Sequence, residues 1–127
     1  MVQLFPAGAD PLNDTPVDED TTDGSGDYLL TSPTPGDFFV YIPTAPADAP
    51  LSSTGNGGDD QTDGDDNGIQ TASGDPIQSP TINLTAGDEP TDATTEGPTG
   101  DNTSGALQDN LADDAGDMTV DLSLIHI

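Results

Sequence analysis

The chain carries 25 carboxylate side chains and not one lysine or arginine. That imbalance constrains the fold more than any other feature. Every approach of one carboxylate to another must be screened by water, salt, a bound metal ion or a neutral hydrogen-bond donor, because no cationic side chain is present. The formal charge of −25 comes from 22 Asp and 3 Glu. It excludes phosphate-directed nucleic-acid binding, which needs Lys or Arg to displace counterions. It excludes direct docking on an anionic membrane surface for the same reason.

Core-forming material is thin. Leu, Ile, Val and Phe supply 23 of 127 residues, about 18%, below the roughly 20% at which disorder becomes the default for a highly charged chain. The length allows one domain or part of one. With no cysteine, disulfides and thiolate metal sites are excluded. No apolar run reaches the ~20 residues of a membrane-spanning helix. The start, "MVQLFPAG", has neither a basic n-region nor a long apolar stretch, so it does not read as a signal peptide.

Period-two patterning predicts an all-β, antiparallel chain with long acidic loops. The strand candidates are "VQLF" (2–5), "YLLT" (28–31), "FFVYI" (38–42), "TINLT" (81–85) and "MTVDL" (118–122). In "FFVYI", Phe38, Val40 and Ile42 share one face, and Phe39 and Tyr41 take the other. Residues 44–76 and 86–117 read as long polar loops. "GALQDNLADDAG" (105–116) has Leu107 and Leu111 at helical spacing, and a polar loop with two anchoring leucines fits it equally.

The stretch "DGDDNGIQ" (63–70) matches the first half of a calcium loop. Asp63, Asp65 and Asn67 stand at positions 1, 3 and 5, Gly68 permits the sharp turn, and the Ile69 carbonyl is the next ligand. Hard oxygens on alternate residues suit Ca²⁺, since the backbone can wrap the ion and aim every second side chain at it. Position 12 is Gly74, where a bidentate Glu is expected, and Asp75 beside it is the substitute. Asp59 or Asp60 can also reach back. The competing reading is a solvated acidic loop in a chain already rich in Asp. If the site binds, an affinity of roughly 10⁻⁴–10⁻³ M is expected, as in extracellular modules. "DEDTTDGSGD" (18–27) reads as an acidic hairpin turn, and "DDAGD" (113–117) is a similar turn.

No catalytic constellation emerges, and the chain is read as a non-enzyme. The lone histidine is His126, so a Ser-His-Asp arrangement has nothing else to draw on. Cys nucleophiles and Lys Schiff bases are absent. Paired carboxylates without Trp or a run of aromatic platforms do not support glycoside hydrolysis. The sequons at Asn83 and Asn102 read as incidental in so Asp- and Thr-rich a chain.

The stretch "TDGSGDYLLTSPTPGDFFVYIP" (22–43) resembles the bacterial SdrD B-like / Cna-B-like surface-protein domains. Thr22, Asp23, Gly26, Tyr28, Pro35, Gly36, Val40 and Ile42 fit the family pattern, with Phe38 where Tyr is frequent. "VQLF" upstream, and "DGDDNGIQ", "SPTINLTAGDEPTD" and "MTVD" downstream, resemble other blocks in order, so the likeness spans residues 2–121. It implies a prealbumin-like (Ig-like) β-sandwich, incomplete here because the first and last strands of the family are missing. It implies an extracellular, cell-surface repeat module, calcium-bound, with neighbouring repeat domains and an adhesion ligand as partners. The isopeptide cross-link of some related domains needs a Lys and is impossible here. Residues 122–127, "LSLIHI", resemble instead the translated end of a transposase adapter used in sequencing libraries, so a non-native tail is expected after Asp121. The function expected is a structural or adhesive, calcium-stabilised repeat module of the bacterial surface. The alternative is an intrinsically disordered acidic segment that gathers cations.

Overall fold

The computed structural model describes residues 1–24, 26, 28–52, 68–85, 120, 122 and 124–125. Among them no helix forms, and every strand pairing is antiparallel. The strands are β1 (Val2–Pro6), β2 (Asp18–Asp20), β3 (Gly36–Ile42), β4 (Leu51–Ser52), β5 (Ile69–Gln70), β6 (Ile77–Gln78), β7 (Ile82–Leu84) and β8 (Leu124–Ile125). Six of them form one sheet in the order β2-β1-β3-β6-β5, with β7 also paired to β3, and β4 and β8 form a separate two-stranded ladder.

β1 and β3 are the centre of the sheet because they hold the densest β-branched and aromatic sequence in the chain. Their register pairs Leu4 with Val40 and Phe5 with Phe39. Alternation then sends Val2, Leu4, Phe38, Val40 and Ile42 to one face, where they are buried with Ala45, Ile77 and Ile82. The opposite face carries Phe5, Phe39 and Tyr41, also buried. Phe5 stacks on Phe39 with centroids 5.6 Å apart and meets Tyr41 edge-on at 5.9 Å. These are the two arrangements an aromatic quadrupole favours. Both faces of the central pair are thus out of water.

Beyond β3 the chain returns as β6 and then β7, and the join between them is a bulge. Tyr41 pairs with Gln78 and Ile42 with Ile77, whereas Phe38 pairs with Ile82. Three residues, 79–81, therefore stand against two, Phe39 and Val40. The extra residue has a consequence for packing. Ile77 and Ile82 are five apart, so strict alternation would place them on opposite faces. The bulge brings both into one cluster, 0% and 3% exposed.

Ser79 holds the bulge. Its backbone N–H donates to the Val40 carbonyl at 2.9 Å. Its hydroxyl oxygen accepts from the Val40 N–H at 2.9 Å, in the place of the carbonyl a regular ladder would offer, and donates to the Pro80 carbonyl at 2.8 Å. Pro80 has no N–H to give the ladder, so a bulge is where a proline can sit.

Several expectations are corrected. Residues 28–31 do not join a ladder; Tyr28 and Leu30 pack against the first cluster while the backbone bonds elsewhere, as described below. Residues 18–20, read as the start of a turn, form edge strand β2 opposite Val2, Gln3 and Leu4. Residues 44–76 also hold two short strands, β4 and β5. Of "MTVDL", expected as a strand, the two described residues Val120 and Leu122 stand in no strand; both pack against the first cluster, as does Leu124 of β8. β8 lies within residues 122–127, and the six-stranded sheet uses none of them.

Replacing Ser79 by Ala strips the buried Val40 N–H of its acceptor. Urea denaturation is expected to show a loss of about 1–3 kcal/mol. Thr81→Ala, at an exposed position of the same bulge, is expected to stay within about 0.5 kcal/mol of the parent.

Candidate functional site

With no cationic side chain, the carboxylates among the described residues take their hydrogen bonds from backbone N–H groups, hydroxyls and amides. On β2, Asp18 and Asp20 lie opposite Leu4 and Val2 and so share the face of the first cluster. Their carboxylates receive the chain at residues 28–31. Asp20 Oδ2 accepts from the Leu29 N–H at 2.8 Å, and Asp18 Oδ2 accepts from the Thr31 N–H at 2.7 Å and the Thr31 hydroxyl at 2.8 Å. Donors two residues apart meet acceptors two residues apart, which is the spacing of a strand edge with side chains in place of carbonyls. The bonds hold residues 28–31 as a strap, with Tyr28 and Leu30 turned to the core. The Tyr28 hydroxyl donates to the Val120 carbonyl at 2.7 Å.

The Thr31 amide and hydroxyl hold the Asp18 carboxyl below the ordinary carboxylate value, with the Glu19 N–H adding to them against a smaller opposing effect of burial. Asp10 is also held low, by the Asn13 side chain first and the Leu12 N–H second. These bonds close the turn after β1: Asn13 Nδ2 donates to Asp10 Oδ2 at 2.6 Å, and the Asp10 N–H donates to Asp14 Oδ2 at 2.8 Å.

Of the calcium-loop reading, Ile69 lies in β5, at the end of the sheet order opposite β2, and Asp75 in the turn before β6. Asp63, Asp65 and Asn67 lie outside the described residues, as do Asp59, Asp60 and residues 113–117. The chain on either side of 53–67 is tied together. Gln70 Oε1 accepts from the Ser52 N–H at 2.9 Å, and Gln70 Nε2 donates to the carbonyls of Pro50 at 3.1 Å and Asp75 at 2.8 Å. The Ser52 hydroxyl reaches the Gly68 carbonyl at 3.4 Å. One carboxamide thus clips β4, β5 and the turn 71–76. In that turn Gly74 adopts φ +87°, open to glycine at no steric cost, and its N–H donates to the Pro50 carbonyl at 2.8 Å.

Ile69 and Asp75, the two remaining expected ligands, are both described. Ile69 sits in β5 with its side chain 55% exposed, and Asp75 is exposed in the turn. They line one cleft of about 410 Å³, together with Tyr41 and Gln78. Among the described residues no group of three or more His, Cys, Asp or Glu is placed to hold a metal ion. The sequence pattern marks Tyr41 only as a face-forming aromatic, and nothing in it points to a cleft.

No protein-family model matches the chain, and no curated protein or solved structure matches it either.

The lowered Asp18 value fixes the sign of a pH effect. A carboxyl whose folded value lies below its unfolded value of 3.8 stabilises the fold above that pH, and the contribution is lost as pH falls through the folded value. Asp18→Ala is therefore expected to cost about 1 kcal/mol at pH 7 by urea denaturation. Variant and parent should converge as the pH drops below 3.8.

Proposed function

We propose that the chain is a non-enzymatic structural or adhesive module of a bacterial cell-surface protein, a β-sandwich repeat stabilised by calcium. The observation that carries this reading is the way the fold handles its charge. An antiparallel sheet with two buried faces assembles in a chain of formal charge −25, with most of the described carboxylates on edge strand β2 or in turns and none of them buried. That arrangement suits a spacer between neighbouring repeats in the extracellular medium, where millimolar calcium is present to screen it. The likeness of residues 22–43 to SdrD B-like domains supports the same reading. Its partners are the adjacent repeats and an adhesion ligand.

In this account calcium is held by Asp63, Asp65, Asn67 and the Ile69 carbonyl, with Asp75 completing the set. The ion binds the folded chain in preference to the unfolded one and raises stability by mass action. A chain that gathered cations without folding would give a coil spectrum by far-UV circular dichroism with and without calcium.

For a dissociation constant of roughly 10⁻⁴–10⁻³ M, about 10 mM calcium is expected to add about 1.4–2.7 kcal/mol. Thermal unfolding should show this as a calcium-dependent rise in Tm that the Asp63→Ala/Asp65→Ala double variant loses. An unchanged rise in the double variant contradicts the site.

A further inference from the structure

Tyr41 is 8% exposed, yet among the described residues nothing hydrogen-bonds its hydroxyl. The contrast with Tyr28, whose hydroxyl donates to a carbonyl, is direct. Buried hydroxyls are nearly always paired, and an unpaired one is costly. The Tyr41 ring is fixed by its edge contact with Phe5 and lines the cleft of about 410 Å³ beside the β5–β6 turn. That volume falls within the range of small-ligand sites.

The remaining lining defines what fits. Asp75 brings a carboxylate to which no group among the described residues donates, and Thr71 and Gln78 add exposed oxygens. Ile69, 55% exposed, and Pro76 supply an apolar wall. All the polar groups can accept, and no Lys or Arg in the chain can donate to them. An anion is repelled by the net charge. A divalent metal wants six to eight oxygen ligands, more than one carboxylate beside an apolar wall provides. A guanidinium meets each condition. It is planar, weakly hydrated and positively charged, and it carries five donors.

We propose that this cleft binds an arginine side chain of a basic partner peptide. The guanidinium donates to the Asp75 carboxylate and the Tyr41 hydroxyl oxygen, and its flat face lies along Ile69 and Pro76. The site shares Ile69 and Asp75 with the calcium reading, and a chelator in the buffer keeps the two apart.

The test uses the ¹⁵N-labelled full chain in EDTA and physiological salt, titrated with N-acetyl-arginine amide and, in parallel, with its neutral isostere N-acetyl-citrulline amide. Saturable amide shifts confined to Ile69, Thr71 and Gln78 are expected with the arginine probe. Tyr41→Phe is expected to weaken that binding about fivefold to tenfold. Asp75→Asn is expected to cut the preference for arginine over citrulline by about threefold. Unsaturable shifts spread over the acidic surface, equal binding of citrulline, or an unchanged affinity in Tyr41→Phe would each overturn the proposal.

Discussion

A carboxylate that folding brings near other carboxylates needs a donor, and in this chain the donor is never a cationic side chain. The backbone N–H takes the role instead. Asp18 and Asp20 receive the amides of Thr31 and Leu29. Asp10 receives Leu12, and Asp14 receives Asp10. Where an amide side chain serves, it is polar and neutral, as when Asn83 donates to Asp37 at 2.6 Å. Hydrogen bonds to a charged acceptor are stronger than neutral ones. Unlike exposed ion pairs, they also spare the order of two long side chains. The acidic residues thereby become the ties of the fold at its turns and at one edge.

The same chemistry shapes the sheet. β2 offers nothing apolar, so it cannot cover Val2 and Leu4 itself; its carboxylates anchor a strap whose Tyr28 and Leu30 pack against that face. Three consecutive acids on an edge strand also disfavour pairing with another copy, since like charges would face each other along the new ladder. Most of the burial rests on β1 and β3. They contribute Val2, Leu4, Phe5 and all five residues from Phe38 to Ile42 to the core. A short core in a chain with few apolar residues therefore depends on both faces of two strands rather than on one face of many.

What the residues announced in advance follows from where the apolar groups lie. β1, β3 and β7 were legible because each holds alternating large side chains, and the two-face split of Phe38–Ile42 came through in full. β2 was not legible, since three acidic residues in a row look like a turn until Val2 and Leu4 are seen opposite them. β4, β5 and β6 are two residues each, too short for any period to register. Residues 28–31 had the right alternation and the wrong partner: their amides go to side chains, which a pattern of apolar residues cannot reveal. The bulge at Ser79–Pro80 hid the relation between Ile77 and Ile82, because an odd spacing reads as a change of face. Of the expected calcium ligands, Ile69 and Asp75 do share a cleft. That no group among the described residues hydrogen-bonds the Tyr41 hydroxyl in that cleft is a matter of spatial neighbours, which no sequence position records.

The central claim is that local donors outweigh the repulsion of the other carboxylates at chosen positions. Mutual repulsion alone raises every carboxyl pKa. An NMR titration of the Asp side-chain carboxyl carbons separates the two effects residue by residue. The account predicts that Asp10 and Asp18 titrate below the ordinary value of 3.8 despite the formal charge of −25. Midpoints for both at or above that value would contradict it.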